Sequence, residues 1–260
     1  MAQRPTRSLK HEYELFVEQE IENYKESVPR SVLLSIGDEA VSEMASEPQF
    51  ALTELLLCEE VDRIIVKRLR LPSFDTWRKR RLKLIGELRR PEHWGLRSDD
   101  VLVRALPPAS EGRVLVAGAL DEASALYLAA NGCDVTTLTP EVEALERVMQ
   151  AAIGAGLAGR VHAHIGDLAT WTPQMPFDAV IVNPAAFETL SAAERERVIQ
   201  VLQTATMDGG VHLVQTIAAT GKANGSISVE ELRTRYRGWT VSVERSDDRS
   251  KTFMARKGAA

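Results

Sequence analysis

The sequence predicts an α/β protein in which a doubly wound, seven-stranded, mostly parallel sheet follows an all-α N-terminal domain. Apolar residues recur every three or four positions through residues 9–90, where glycine is almost absent. Beyond Gly112, short β-rich runs alternate with helical segments, as in parallel sheets with right-handed crossovers. Only a polar turn separates the last two β-rich runs, which predicts a closing hairpin.

Four helices are expected in the N-terminal region, and prolines delimit them. A proline disfavours the helical conformation in the residue before it and cannot continue the hydrogen-bond ladder. Ser73 is expected to cap the fourth helix, with Asp75 favourable in its first turn. The predicted helices cover about residues 9–26, 31–45, 50–71 and 74–88. Prolines and glycines then punctuate a joint, so we expect a helical domain at 1–94 and a sheet domain at 95–260.

The predicted sheet has five strand–helix units and a terminal β-hairpin. Its strands are expected at about residues 113–118, 133–139, 161–166, 177–183, 210–216, 240–244 and 251–256. Helices are expected at about residues 121–131, 141–155, 192–205 and 229–236. Residues 245–249 form the polar turn of the hairpin.

Composition restricts the class of protein. A hydrophobic content of 44% is enough to bury a substantial core. No apolar run approaches the roughly 20 residues of a membrane helix, and no apolar signal region opens the chain. The two cysteines, Cys58 and Cys133, have no paired spacing. We therefore expect a cytoplasmic protein without a membrane partner or a disulfide framework.

Charge is distributed unevenly along the chain. Residues 1–62 carry 14 acidic and 5 basic side chains, whereas residues 63–90 carry 11 basic and 2 acidic ones. This basic block could contact a phosphate backbone. Alternatively, it could pair with the acidic helix that precedes it, since opposite charges adjacent in sequence usually neutralise one another. The net charge of −5 argues against nonspecific affinity for nucleic acid.

Three features accompany the strand–helix order: Gly118 ends the first predicted strand, residues 166–168 follow the third, and Asn183 follows the fourth. On these features, residues 95–260 resemble a class I S-adenosylmethionine-dependent methyltransferase. The resemblance implies S-adenosylmethionine as cofactor, bound across the carboxyl ends of the first strands, and a small-molecule or macromolecular methyl acceptor that it does not identify. The implied cofactor-binding residues are Ala117, Gly118, Ala119, Thr139, Gly166, Asp167, Leu168 and Asn183.

Two departures from the family pattern affect the cofactor. Where the family has Gly-x-Gly-x-Gly, Leu120 and Glu122 stand at the positions of the second and third glycines. Glycines there let the backbone turn tightly and approach the ligand. Thr139 replaces the carboxylate that binds both ribose hydroxyls in the family, a loss of about 1–3 kcal/mol. Glu141 could reach back from the next helix, or could simply favour the helix dipole.

The second informative segment is Asn-Pro-Ala-Ala-Phe at residues 183–187. It resembles the Asn-Pro-Pro-Tyr/Phe signature of methyltransferases that modify amines. The resemblance implies that Asn183 and the Pro184 carbonyl accept the hydrogens of a planar amine, and that Phe187 stacks on its plane. Here alanine replaces the second proline and the aromatic residue comes one position late. The alternative is that Asn-Pro ends strand four and Phe187 packs beneath the next helix.

Three functions are compatible with these patterns. The first is methyl transfer, to an amine nitrogen if the second signature is functional, with the helical domain covering the cleft and supplying the substrate pocket. The second is a noncatalytic scaffold or regulatory protein that retains the fold while its helical domain binds a partner. The third is nucleic-acid binding through residues 63–90. No metal is expected, since His162 and His164 share a strand face without a third ligand. Homo-oligomerisation is left open.

Overall fold

The chain folds into two compact units, Met1–Leu84 and Ile85–Ala260. The computed structural model describes residues 8–44, 54–106, 111–118, 122–217, 227–245 and 250–259. The division at Leu84 precedes the predicted joint by ten residues, because Trp94 packs against the core of the second unit and the Arg89 carbonyl accepts a hydrogen bond from the Asn131 side chain.

The first unit is helical, as the apolar periodicity predicts. Its helices are α1 (Leu9–Ser27), α2 (Arg30–Met44), α3 (Glu54–Leu69) and α4 (Phe74–Leu88), the last of which continues into the second unit. Ser8 caps α1 by accepting a hydrogen bond from the His11 N–H. The predicted start of α3, at residue 50, lies outside the described residues. Its end comes two residues early because Arg70 adopts a left-handed φ of 51°. The core residues are Ile21, Ile36, Ala40, Ile64 and Ile65.

The second unit is built on a seven-stranded sheet with the order β3-β2-β1-β4-β5-β7-β6. Strands β1 to β5 are parallel, and β7 runs antiparallel between β5 and β6. The predicted mostly parallel sheet with a terminal hairpin is therefore confirmed. The strands are β1 (Arg113–Ala117), β2 (Asp134–Thr139), β3 (Val161–Ile165), β4 (Phe177–Val182), β5 (Thr206–Ile217), β6 (Thr240–Arg245) and β7 (Ser250–Arg256).

Helices cover both faces of this sheet. They are α5 (Val101–Ala105), α6 (Glu122–Ala130), α7 (Val142–Gly154), α8 (Ala185–Glu188), α9 (Ala192–Thr204) and α10 (Val229–Arg235). One apolar core contains residues of α8, α9 and α10, and a second contains residues of α5, α6 and α7. The short helices α5 and α8 and a 3₁₀ turn at Pro91–Trp94 were not predicted, because each is about one turn long and carries no measurable periodicity.

The longest strand differs from its prediction. Strand β5 begins at Thr206 instead of residue 210, because Thr206 already pairs with Phe177 before the register shifts towards the Ala179–Val211 pair. Such an irregularity adds residues to one strand without extending its partner. Residues 246–249, the centre of the predicted hairpin turn, lie outside the described residues.

The sheet order reverses between β1 and β4. The chain first builds outward through β1, β2 and β3, and then returns to build outward in the other direction from β4. In open α/β sheets, ligands bind beyond the carboxyl ends of the strands at such a switch point. The carboxyl ends of β1 to β4 are therefore where a functional site is sought.

Candidate functional site at the carboxyl edge of the sheet

The predicted cofactor residues lie at one edge of the sheet. The residues immediately after β1, β3 and β4 each donate a backbone hydrogen bond to the last residues of the neighbouring strand. These bonds run from Gly118 to Leu138 (3.0 Å), from Gly166 to Thr139 (3.0 Å) and from Asn183 to Ala117 (2.9 Å). The topology thus brings together residues that are up to 66 positions apart in the sequence.

Gly118 is required by the fold itself. Its φ of 80° is left-handed, which non-glycine residues rarely adopt. A Cβ added to it would also lie 2.9 Å from both the Cβ and the backbone nitrogen of Ala186 in α8. The group that leaves no room for a side chain at residue 118 is therefore Ala186 of the protein itself. Ala117, the preceding residue, is fully buried at the end of β1.

The rest of the glycine-loop segment is only partly described. Ala119 and Leu120, both singled out from the sequence, lie outside the described residues. Glu122, at the position of the third family glycine, begins α6 and accepts a hydrogen bond from Arg147 of α7 at 2.9 Å. Its carboxylate is thereby paired with a cation on a neighbouring helix.

Thr139 and Glu141 follow β2 in different environments. Thr139 is only 3% exposed, and its hydroxyl accepts a hydrogen bond from the Glu141 N–H at 3.2 Å. Glu141 occupies the N-cap position of α7, but its side chain makes no capping hydrogen bond and is exposed. The carboxylate accessible at the end of β2 is therefore two positions beyond the predicted contact residue.

An exposed carboxylate also follows β3. Oδ1 of Asp167 accepts hydrogen bonds from the backbone N–H and the hydroxyl of Thr170, both at 2.9 Å. These bonds fix the turn, while Oδ2 accepts none among the residues described. Leu168 points the other way, into the core that contains α8, α9 and α10. Asp167 thus keeps one oxygen for a ligand beside Gly166.

The segment after β4 is held by local hydrogen bonds. Oδ1 of Asn183 accepts from the Ala185 N–H at 3.1 Å, and the Pro184 carbonyl accepts from the Phe187 N–H at 2.9 Å. Pro184 is buried, and Phe187 is 1% exposed within the core. The Phe187 ring therefore has no face to offer an acceptor, and this position matches the packing alternative. Asn183 alone of the three is half-buried at the edge.

A buried polar network lies in the same unit and was not anticipated from the sequence. The Thr206 hydroxyl donates its proton to the Leu202 carbonyl (2.6 Å), so its oxygen must accept from Nε2–H of His212 (2.6 Å). Nδ1 of His212 then accepts from the Tyr236 hydroxyl at 2.7 Å. Burial, with a smaller contribution from the charge of Lys257, lowers the pKa of His212 to about 3. The signal in the sequence was a single histidine within an apolar strand.

This network is structural. His212 lies near the start of the regular part of β5, paired with Val180 and Ala255, and is fully buried. Its neutral imidazole satisfies every donor and acceptor on the ring, and burial raises the pKa of Tyr236 above its ordinary value. It therefore stabilises the sheet unit and takes no part in the site at the carboxyl edge.

Several cations of the basic block are paired within the helical unit. Arg63 and Lys67 contact Glu43, and Arg81 lies 3.2 Å from Glu12 of α1. Arg68 pairs with Glu39, as the internal-neutralisation alternative requires. Contacts of this kind favour that alternative over a phosphate-binding role for these four residues.

The described residues contain neither a membrane-spanning helix nor a cluster of metal-ligating side chains. None of their helices is long and apolar enough to cross a membrane. In that same part of the chain, no three His, Cys, Asp or Glu side chains come together to hold a metal. His162 is paired with Asp134 at 2.7 Å on the edge strand β3, and neither Cys58 nor Cys133 forms a disulfide.

The strand order and the site at the switch point define a protein with the fold of the class I methyltransferases. No protein-family model and no curated protein sequence matches the chain. Among solved structures, TehB from Haemophilus influenzae aligns with a TM-score of 0.52 at 19% identity, over 60% of this chain and 61% of TehB. The N-methyltransferase NodS from Bradyrhizobium japonicum WM9 aligns with a TM-score of 0.51 at 12% identity, over 60% of this chain and 92% of NodS.

These likenesses concern the fold. The chain spans less than two thirds of the length of TehB, since the alignment covers 61% of that protein. At identities of 19% and 12%, the two alignments show a shared fold alone. The resemblance to a methyltransferase fold, expected from the sequence, is confirmed.

Proposed function

We propose that the chain binds S-adenosylmethionine at the carboxyl edge of β1 to β3 and transfers its methyl group to an acceptor. One observation carries this proposal: Gly118, Glu141 and Asp167 follow the carboxyl ends of the adjacent strands β1, β2 and β3, next to the switch point of a sheet with a methyltransferase fold. Ligands bind at such switch points in open α/β sheets. The similar fold of NodS, an N-methyltransferase, supports the reaction class.

The residues present fit the adenosine half of that cofactor. Oδ2 of Asp167 is an exposed acceptor suited to the adenine amine, and Glu141, which follows the adjacent strand β2, supplies an exposed carboxylate for hydroxyl groups. When bound, the cofactor supplies an electrophilic methyl group on a sulfonium. The chain's own residues orient it and exclude water, so their contribution to rate is positioning.

An amine acceptor remains part of the proposal through Asn183. The side-chain oxygen of Asn183 accepts one local hydrogen bond and keeps a second lone pair, and the Pro184 carbonyl does the same. Both could accept the hydrogens of an amine after a small shift of α8. Phe187 is left out of the proposed site because its ring is buried. Residues 1–94 are proposed to select the acceptor or to bind a partner.

Calorimetric titration with S-adenosylmethionine and S-adenosylhomocysteine tests the proposal. We expect saturable binding that Asp167→Asn weakens roughly tenfold or more, because one acceptor oxygen becomes a donor. Asn can keep both bonds to Thr170, so the turn should survive. Asp134→Asn is the matched control, since Asp134 is an exposed carboxylate at the opposite end of β2. Equal effects of the two variants, or no heat at millimolar ligand, would contradict the proposal.

A noncatalytic scaffold is the second candidate, and one contact favours it. Ala186 already occupies the position over Gly118 that a glycine loop would leave open to a ligand. If neither ligand binds, this candidate replaces the first. Release of S-adenosylhomocysteine in the presence of amine acceptors would exclude it.

A further inference from the structure

The turn that follows β4 lies directly on the residue that follows β1. Ala117 and Val182, the last residues of these two strands, are paired, so Gly118 and Asn183 continue from neighbouring positions. Three residues later, the Cβ and the backbone nitrogen of Ala186 lie 2.9 Å from the point where a Cβ of Gly118 would stand. In this closed position of α8, no ligand atom can share the space that Ala186 fills over Gly118.

Helix α8 is anchored on both sides of its middle. Pro184, which precedes it, is buried, and Phe187 is 1% exposed within the core that also contains residues of α9 and α10. Between these anchors, Ala185 and Ala186 are only half-buried. The part of the turn that covers Gly118 is therefore the part that the core encloses least.

Two local hydrogen bonds hold the middle of the turn. The Ala185 N–H donates to Oδ1 of Asn183 at 3.1 Å, and the Ala186 N–H donates to the Asn183 carbonyl at 3.0 Å. A four-residue helix has no stability apart from its tertiary contacts. Breaking these two bonds lets Ala186 move away from Gly118 while Phe187 stays in the core.

The strand order determines which part of the ligand meets Ala186. Asp167, which is proposed to bind adenine, follows β3, and Gly118 follows β1, with β2 between them. Adjacent strands lie about 4.8 Å apart, so these two strand ends are separated by roughly 10 Å. An adenosine-containing ligand that starts at β3 therefore reaches Gly118 with the group attached to its ribose. In S-adenosylmethionine and S-adenosylhomocysteine, that group is the amino-acid end.

We infer that α8 is a conformational switch: in its closed position on Gly118 it excludes the amino-acid end of the cofactor, and it opens for the cofactor to bind fully. The inference rests on the proposed function and concerns the regulation of the same site. A ligand that binds only the open form loses affinity in proportion to the fraction of molecules that are closed. Because both bonds of the closed turn end on Asn183, opening also frees the side-chain oxygen that is proposed to accept an amine. The cofactor therefore binds before the acceptor.

Calorimetry with S-adenosylhomocysteine and with adenosine, which lacks the amino-acid end, tests the switch. Ala186→Gly removes the methyl group over Gly118 and should strengthen binding of S-adenosylhomocysteine. Ala185→Gly is the matched control, because it loosens the same turn by a similar amount but keeps that methyl group. Ala186→Gly should bind S-adenosylhomocysteine roughly fourfold more tightly than Ala185→Gly, the share of one methyl contact. The affinity for adenosine should be the same in both variants and in the wild type.

Hydrogen exchange gives a readout that a purely structural role of α8 would not change. A bound ligand ordinarily slows the exchange of backbone amides. If the cofactor opens α8, the amides of Ala185 and Ala186 should instead exchange faster in the wild-type protein saturated with S-adenosylhomocysteine, and adenosine should leave them unchanged. Slower or unchanged exchange at these amides with S-adenosylhomocysteine would overturn the inference.

The outcomes separate this inference from the proposed function. If the wild-type protein binds S-adenosylhomocysteine and the two variants bind it equally well, the inference is wrong and the proposed function stands. An equal gain of Ala186→Gly for both ligands would also contradict the switch. If Ala186→Gly binds S-adenosylhomocysteine and the wild-type protein does not, the wild-type chain is held closed, as inferred. If none of the three proteins binds S-adenosylhomocysteine, the inference and the proposed function fail together.

Discussion

Stability of the sheet unit is expected to depend on pH through His212. The imidazole is neutral and enclosed, with Thr206 and Tyr236 bonded to its two nitrogens. Protonation would place a second N–H against the Tyr236 hydroxyl and a charge in the core. In the unfolded chain the same imidazole takes up a proton below about pH 6.5. The unfolded state therefore binds more protons, and the free energy of unfolding falls as the pH falls.

The size of this effect follows from the two pKa values. The pKa of His212 is lowered from 6.5 to about 3 in the folded protein. At pH 5 the folded imidazole is still neutral, while the unfolded one lies about 1.5 pH units below its pKa. Each unit is worth about 1.4 kcal/mol, so His212 should remove about 2 kcal/mol of stability between pH 7 and pH 5. This stability is fully present above about pH 6.5 and is lost progressively towards about pH 3.

Urea unfolding at pH 5, 6 and 7 measures the effect. A Trp77→Phe background limits tryptophan fluorescence to the sheet unit, where Trp94, Trp171 and Trp239 lie. Glutamine at position 212 cannot titrate, so His212→Gln should lose stability at pH 7 but show about 2 kcal/mol less decline on acidification. His162→Gln, on an exposed edge strand, should keep the wild-type decline. If the free energy of unfolding falls equally with pH in the wild type and in His212→Gln, the imidazole of His212 is not buried in its neutral form.

Three further substitutions test the packing of the site and its supports by urea unfolding. Gly118→Ala should lower the free energy of unfolding by about 2–4 kcal/mol, because the new side chain would combine a left-handed φ with a clash against Ala186. Gly238→Ala, at a φ of 89° with open space around it, should cost only about 1 kcal/mol, and equal losses would disprove the clash. Phe187→Ala should lower the free energy of unfolding by about 3–5 kcal/mol, and Phe187→Leu by about 1 kcal/mol. If both variants are nearly as stable as the wild type, the ring is not in the core. Ser191→Ala removes a capping box and should cost about 1 kcal/mol, and no measurable change would show that the α9 cap contributes nothing.

The sequence predicts the long elements well because their signals are local. The 19 residues of α1 repeat an apolar position every three or four residues, and the buried strand β1 is a continuous apolar run. The one-turn helix α8 carries no such repeat, and its existence depends on Phe187 finding a place in the core. Local pattern cannot report an element that long-range packing creates.

The strand ends that frame the candidate site could be predicted from the sequence, but the surroundings of their side chains could not. The resemblance placed ligand contacts after β1, β2, β3 and β4, and the structure brings those strand ends together. It could not show that the Thr139 hydroxyl is enclosed, that Glu141 is left uncommitted, or that Phe187 turns inward. Each of these depends on which side chains surround a residue in space.

The sequence by itself determined the α/β architecture, the helical region before it and the position of the strand ends. Hydrophobic periodicity and turn residues act over a few positions, so they can be read along the chain. Only the tertiary structure decided that Ala186 packs on Gly118 and that His212 is enclosed by Thr206 and Tyr236. The contacts of Ala186 with Gly118 and of Tyr236 with His212 join separate segments of the chain, and the burial of these residues exists only once those segments pack.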